Sequence, residues 1–112
     1  MDCIFCKIAA GEIPSTKIFE DDQVLAFYDA APQAPVHFLV IPKKHIGSAL
    51  EIDANNSNQV AHIFEVIASI ARQLDLDNGY RVVTNVGDDG GQTVGHLHFH
   101  VLAKRKLAWP PG

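Results

Sequence analysis

Three histidines alternate with apolar residues near the end of the chain, in the run HLHFHV at residues 96–101. Side chains two positions apart in a β-strand lie on the same face of the sheet. His96, His98 and His100 are therefore predicted to lie together on one face, with the intervening apolar side chains facing the core. Neighbouring imidazoles in such a row start about 6.6 Å apart, a spacing that can bracket one phosphoryl group.

The rest of the chain shows strand-like runs on either side of one long amphipathic segment. Apolar residues recur at helical spacing between Val60 and Leu74. Turn signals bound the strand-like runs and favour hairpin connections. We expect one domain, residues 1–112, of class α+β: a five-stranded, mainly antiparallel sheet with one long and one short helix. The predicted helices are Ile4–Ala10 and Val60–Leu74, and the predicted strands are Thr16–Phe19, Val24–Tyr28, Val36–Ile41, Tyr80–Asn85 and His96–Ala103.

The charge balance limits the kinds of partner that the chain can bind. Its formal net charge is −4, from 9 Lys and Arg and 13 Asp and Glu, and it contains no basic run. We therefore expect no binding to long nucleic acids and none to an anionic membrane. A small phosphate ligand stays compatible with this balance, because it needs only local hydrogen-bond donors.

The first residues bear on location and on cysteine chemistry. A basic region followed by an apolar stretch and a cleavage site is lacking, and no run of about 18 apolar residues occurs. We expect a cytoplasmic protein with reduced cysteines. The spacing of Cys3 and Cys6 is compatible with zinc, with redox chemistry or with chance, although the βαβ context of a thioredoxin-like motif is absent.

The histidine run by itself leaves two chemistries open. Imidazole is a common metal ligand. A neutral imidazole is also a competent nucleophile toward phosphorus, provided that one ring nitrogen is exposed and the other is anchored, for example by a backbone carbonyl. The loop Gly87–Gly95 favours phosphoryl chemistry, because its glycine-rich backbone can form an anion-binding concavity beside the histidines.

Together these motifs resemble the histidine triad (HIT) family. The family pattern His-φ-His-φ-His-φ-φ, where φ is apolar, matches residues 96–102, and GQTVG precedes it. The terminal WPPG is similar to the Hint branch. The resemblance covers nearly the whole chain. Further matching segments are IF at 4–5, FEDD at 19–22, LAF at 25–27, PQAP at 32–35 and HFLVIPKKH at 37–45.

The resemblance implies an activity and an assembly. It implies hydrolysis of purine nucleoside 5′-phosphoramidates and related adenylated or guanylated compounds, through a covalent nucleotidyl-histidine. It also implies a homodimer in which two sheets join into one. Two alternatives stay open: transfer of the nucleotidyl group to a second substrate, and a nucleotide-binding scaffold protein with incidental turnover.

Individual positions take their expected roles from the same resemblance. His98 matches the nucleophile. The residues that match positions around the α-phosphate and the leaving group are His37, His100, Asn85, Gly91, Gln92 and Thr93. Asp29 matches the carboxylate that holds the ribose hydroxyls, although a turn role is the stronger expectation from sequence alone. The residues that match the apolar pocket around the base are Ile4, Phe5, Ile8, Phe27, Tyr28 and Leu39, of which Ile4 and Phe27 would ordinarily be plain core.

Relatives with a similar cysteine opening imply a structural zinc. Its ligands would be Cys3, Cys6, His45 and His96, and the chemistry would require no metal. His96 would then be a ligand, leaving His98 and His100 for phosphate. The remaining histidine, His62, is expected to be solvated.

Two positions depart from the family pattern. Thr93 replaces a frequent serine but keeps the hydroxyl. Gly95 stands where an aromatic residue is common, so we expect a looser loop or more space beside His96. The preferred leaving group is therefore open.

Overall fold

A computed structural model describes residues 3–112. One six-residue helix, one 17-residue helix and five strands form the regular structure of this part of the chain. In chain order they are α1 (Ile4–Ala9), β1 (Lys17–Glu20), β2 (Val24–Tyr28), β3 (Val36–Pro42), α2 (Ser57–Gln73), β4 (Tyr80–Val83) and β5 (Phe99–Ala103), with a 3-10 turn at Ala49–Glu51 before α2.

The five strands form one antiparallel sheet in the order β1-β2-β3-β5-β4. The predicted fold class is confirmed. β5 lies between β3 and β4, with His100 opposite Leu39 on one side and opposite Val83 on the other. The histidine run therefore enters near the middle of the sheet rather than at an edge.

The first face of the sheet carries the main core beneath α2. The apolar stripe of α2 buries Ile63, Val66, Ile67 and Ile70 against this face. The sheet residues that meet it alternate along their strands and include Val24, Ala26, Phe38, Val40, Phe99, Val101 and Ala103. Burial of side chains of this size contributes about 1.5–3 kcal/mol each, so α2 is held mainly by packing.

The second face carries α1 and a smaller apolar cluster. Phe5 and Ile8 of α1 pack on Leu25, Phe27 and Leu39. The side chain of Cys3 caps this helix by accepting from the backbone N–H of Cys6. Gly11 follows with φ +79°, a left-handed conformation that favours glycine, so the predicted helix stop is confirmed.

The last strand begins later than the sequence predicts. Regular pairing of β5 starts at Phe99, so the prediction of a strand from His96 is wrong for its first three residues. Near its start, the backbone N–H of Leu97 donates to the carbonyl of Ile46, outside the strand ladder. The alternation nevertheless persists, since Leu97 packs in the α2 core and His98 contacts Phe5 on the other side.

Other boundaries differ by a few residues. β4 ends at Val83 rather than Asn85, and α2 begins three residues earlier than predicted, at Ser57. Within residues 3–112, no helix is long and apolar enough to cross a membrane.

Candidate active site and metal cluster

His98 is held with one ring nitrogen anchored. Its Nδ1 lies 2.7 Å from the carbonyl oxygen of His96. Because a carbonyl can only accept, Nδ1 donates, and a neutral ring then keeps an unprotonated Nε2. The side chain is 5% exposed, and Phe5 packs edge-on against the ring at 5.0 Å between centroids. One ring nitrogen of His98 is therefore anchored by a backbone carbonyl, as expected of a nucleophile.

A second set of polar groups lies on the other side of His98; we call it the proton chain. It consists of Asp29, His37 and His100. The ring of His100 lies 5.1 Å from that of His98, somewhat closer than the strand spacing predicts. His37 Nε2 lies 2.9 Å from His100 Nδ1.

Backbone geometry fixes the proton positions along this chain. The backbone N–H of Gln33 donates to His37 Nδ1 at 3.0 Å, so a neutral His37 carries its proton on Nε2. That proton is donated to His100 Nδ1, which leaves a neutral His100 with its proton on Nε2. His98 therefore offers a lone pair, while its neighbour His100 offers a donor.

Electrostatics keep the two imidazoles of the proton chain neutral. Burial lowers the pKa of His37, although the Asp29 carboxylate opposes this effect. Burial also lowers the pKa of His100, and the neighbouring His98 and His37 rings add to it. Since both values lie below 6.5, both rings are uncharged at neutral pH.

Asp29 has a different task for each of its oxygens. Oδ1 accepts from the backbone N–H of Ala31 at 2.8 Å, so the predicted turn role is confirmed. Oδ2 lies 3.4 Å from His37 Nε2 and 3.9 Å from His100 Nδ1. The carboxylate thus borders the imidazoles, while its contact with a ribose stays a prediction.

The glycine-rich loop is folded around the side chain of Gln92. Its Nε2 donates to the carbonyls of Gly47, at 2.8 Å, and Val94, at 3.0 Å, and its Oε1 accepts from the backbone N–H of Gly87 at 3.0 Å. Both N–H donors of the amide are therefore used in shaping the loop. Gly87 and Gly91 both adopt positive φ, which the tight path requires.

The other predicted residues in and near this loop differ in exposure. Thr93 is exposed, and Asn85 is half-buried where the chain leaves β4. Gly95 has no positive φ, and a Cβ there would meet nothing within 4 Å. Open space is therefore present at position 95.

The residues predicted for the base pocket divide into two groups. The buried members pack together on the α1 face of the sheet and are Phe5, Ile8, Phe27 and Leu39. Ile4 is 48% exposed and Tyr28 is 39% exposed, so these two lie at the surface. The expectation that Ile4 is plain core is wrong, whereas that for Phe27 is right, since its ring stacks edge-on with Phe5.

A second cluster lies on the α1 side of His98; we call it the metal cluster. It consists of Cys3, Cys6, His45 and His96, whose potential ligand atoms all lie within 4.8 Å of one another. The Cys3 Sγ–His96 Nδ1 distance is 3.3 Å, Cys6 Sγ–His45 Nδ1 is 3.2 Å and Cys6 Sγ–His96 Nδ1 is 3.5 Å. Ligands around tetrahedral zinc lie about 3.3–3.8 Å apart, given its bond lengths. These residues therefore fit a zinc ion.

The surroundings of His96 also suit a ligand. Its Nε2 lies 2.8 Å from the carbonyl oxygen of Pro42, so a neutral ring keeps its lone pair on Nδ1, facing the cysteines. Burial lowers the pKa of His96 and so favours this neutral form. Both cysteines are free of a disulfide, and Cys3 Sγ accepts from the Cys6 backbone N–H at 3.3 Å.

Sequence reasoning missed several partners of the site. The hydroxyl of Thr84 donates to the carbonyl of His98 at 2.8 Å, and only its place next to Asn85 pointed toward the site. The backbone N–H of Gln33 and the carbonyl of Pro42 fix two rings, and such main-chain partners have no sequence signature. The expectation that His62 is only solvated is right in part: the side chain is 31% exposed, but its Nε2 lies 2.7 Å from Asp21 Oδ2.

Comparison with known proteins agrees with this geometry. A family model of the HIT domain matches residues 10–107. An uncharacterized HIT-like protein of Synechococcus elongatus is 53% identical over 111 residues, covering 99% of this chain and 97% of its own. Among solved structures, a HIT family hydrolase from Legionella pneumophila superimposes with a TM-score of 0.97 at 48% identity, covering 99% of this chain and 100% of that one. A histidine triad nucleotide-binding protein from Candida albicans gives 0.86 at 35%, covering 97% and 83%. The chain therefore belongs to the HIT family.

Proposed function

We propose that this protein hydrolyses purine nucleoside 5′-phosphoramidates, and related nucleotide conjugates, through a covalent intermediate on His98. The observation that carries the proposal is the pair of ring tautomers at the site. The His96 carbonyl leaves Nε2 of His98 unprotonated, and His37 leaves Nε2 of His100 protonated. One ring is thus prepared to attack phosphorus while its neighbour donates a hydrogen bond.

The reaction would proceed in two displacements. In the first, His98 Nε2 bonds to the α-phosphorus and the P–N bond to the leaving amine breaks, with the departing nitrogen taking up one proton from solvent. His100 Nε2–H donates a hydrogen bond at the phosphoryl group or the leaving group, where charge develops. In the second, water attacks the phosphorus, the P–Nε2 bond breaks, and the water returns one proton to solvent, which balances the proton taken up by the amine. The products are the nucleoside monophosphate and the amine, and His98 is regenerated.

The relatives support the coarse parts of this proposal. The Legionella protein is described as a hydrolase and the Candida protein as nucleotide-binding. In our proposal the purine lies against the apolar group around Phe5 and Leu39, and Asp29 Oδ2 accepts from the ribose. The loop residues Gly91 and Thr93, with Asn85, would surround the phosphate, while Gln92 acts by shaping the loop.

The test is release of AMP from adenosine 5′-phosphoramidate. Wild type should release AMP, and His98→Ala should lower kcat by about 10³-fold or more. His62→Gln, which lies on α2, serves as the matched histidine control and should keep wild-type turnover. Absence of release by wild type, or equal release by His98→Ala, contradicts the proposal.

We also propose that the metal cluster holds a structural zinc ion. The ion would tie α1 to the segment before the 3-10 turn and to the histidine run, and the chemistry would not pass through it. Metal analysis of protein from zinc-replete cells should give about one zinc per chain. A metal-free protein under those conditions would overturn this assignment.

The dimer implied by the family would join two sheets through β4. The other edge strand, β1, carries a register irregularity, and Lys17 and Glu20 form an ion pair there, features that hinder edge pairing. β4 pairs regularly with β5 and presents Tyr80, 41% exposed, beside a cleft of about 670 Å³. Light scattering should therefore give a dimer mass for wild type, and Val82→Pro should lower the fraction of dimer.

A further inference from the structure

The backbone that carries His98 lies outside the regular sheet. The pairing of β4 with β5 ends at Val83 opposite His100. His98 therefore lies one residue before β5 begins at Phe99, and two residues before His100, on a stretch without ladder hydrogen bonds to β4. A nucleophile must be held within about 1 Å of its productive position, since a misplacement of that size can cost 100-fold in rate. Something other than the sheet must hold this stretch.

Three hydrogen bonds replace the ladder. The backbone N–H of Leu97 donates to the Ile46 carbonyl, and His98 Nδ1 donates to the His96 carbonyl at 2.7 Å. The third comes from Thr84, whose hydroxyl donates to the His98 carbonyl at 2.8 Å. The first bond fixes Leu97, the residue before His98, and the second fixes the His98 ring. Thr84 is the side chain that fixes the peptide after it.

Thr84 is well placed to do this because β4 ends immediately before it. In the antiparallel register the next pair after Val83 and His100 would be Thr84 and Phe99. At this point a side-chain hydroxyl takes the place of a main-chain donor and reaches the carbonyl of His98. A valine has almost the same shape but no donor, so it would leave that partly buried carbonyl without its partner.

We propose that Thr84 is a positioning residue for the nucleophile. Its hydroxyl holds the His98 carbonyl, and thereby sets where His98 Nε2 points relative to the donor Nε2–H of His100. This inference rests on the proposed function for its catalytic consequence. The effect on the His98 ring does not depend on any substrate.

The first test compares Thr84→Val with Thr84→Ser in adenosine 5′-phosphoramidate turnover. Thr84→Val should lower kcat about 10- to 100-fold while KM changes less than about threefold. Thr84→Ser keeps the hydroxyl and should recover most of the rate. Thr16→Val is the matched control, because Thr16 is exposed before β1, and should behave as wild type. Wild-type kcat in Thr84→Val, or equal loss in Thr84→Ser, overturns the proposal.

The second test needs no turnover and separates the two proposals. Nitrogen NMR of the imidazoles should show His98 protonated at Nδ1 in wild type and Thr84→Ser. In Thr84→Val the Nδ1 proton should exchange faster with solvent and the two tautomers should mix. This change in a protein that also fails to turn over would sink the proposed function and leave the positioning role standing. An unchanged His98 spectrum in Thr84→Val overturns the positioning role, whatever the activity.

Discussion

The metal cluster and the proton chain lie on the same side of one sheet, yet they are built for different chemistry. The metal cluster supplies two thiols and two imidazole nitrogens that converge within 4.8 Å. The proton chain contains no sulfur, and its imidazoles are bonded to each other at 2.9 Å beside a carboxylate. The histidine run contributes His96 to the metal cluster and His100 to the proton chain. His98 lies between the two clusters.

The difference teaches that main-chain partners decide what each ring can do. His96 has a carbonyl, that of Pro42, at Nε2, so its free lone pair is on Nδ1 and faces the cysteines. His37 has a backbone N–H, that of Gln33, at Nδ1, so its proton is on Nε2 and faces His100. The same side chain is therefore suited to bind a metal in one place and to donate a proton in the other.

Removing the end of the proton chain should have the largest effect on this comparison. His100→Ala should lower kcat for adenosine 5′-phosphoramidate by about 10²- to 10⁴-fold, because the donor beside the phosphoryl group is lost. Zinc content should stay that of wild type. Steady-state kinetics and metal analysis on one preparation check both parts, and a loss of zinc in this variant would mean that the two clusters are not separate.

Disrupting the metal cluster should give the reverse pattern. Cys3→Ser should lose the zinc and, with it, stability. At a free zinc concentration about 100 times Kd, binding contributes about 2.7 kcal/mol, or roughly 10–20 °C of Tm for a domain of this size. Turnover below the melting range should persist. Calorimetry with and without a chelator measures the shift, and an unchanged Tm would remove the structural role of the cluster.

The sequence predicts one part of this comparison far better than the other. The alternating histidines and the Cys-x-x-Cys pair predict both clusters, because imidazole and thiol groups at these spacings are typical of such sites. The tautomers do not follow from sequence, since they depend on the carbonyl of Pro42 and the N–H of Gln33. The late start of β5 does not follow from the sequence either. Leu97 keeps the apolar alternation of a strand, although its N–H donates to the Ile46 carbonyl outside the sheet.

Most of the fold could be predicted from the sequence, but the structure of the Gly87–Gly95 loop could not. The 3.6-residue period of α2 and the turn signals between strands are local, so they predict the elements and the class. The side-chain amide of Gln92 forms hydrogen bonds with main-chain groups of Gly47, Gly87 and Val94. Gly47 is far from Gln92 along the chain, and main-chain partners have no sequence signature. Long-range contacts of this kind come from the packed structure, and so does the Asp21–His62 contact between hairpin and helix.

Acid should weaken the fold through the proton chain. His37 and His100 have pKa values lowered by burial, so between those values and 6.5 the unfolded chain binds protons that the folded chain does not. Stability is therefore fully present above pH 6.5 and is lost as pH falls below it. Urea unfolding between pH 7.5 and pH 5 should show this fall, well above the range where Glu20, with a pKa of about 2, titrates. A flat profile would contradict the neutral tautomers.

His62 should give a smaller effect of opposite sign. Its hydrogen bond with Asp21 raises its pKa, so its contribution is present below pH 6.5 and is lost as pH rises through the raised value. Both side chains are about a third exposed, so the contribution should stay below about 1 kcal/mol. His62→Gln should remove this alkaline slope and leave kcat unchanged. Retention of the slope in the variant would assign it to another group.

The stereochemical course at phosphorus tests the central claim most directly. Each in-line displacement inverts the configuration, so attack by His98 followed by attack by water gives net retention. A nucleoside phosphoramidate made chiral at phosphorus with sulfur, hydrolysed in ¹⁸O-labelled water, reports the outcome. Retention is the result expected if His98, held between the metal cluster and the proton chain, carries the nucleotide. Inversion would mean that water attacks directly and that the ring only assists.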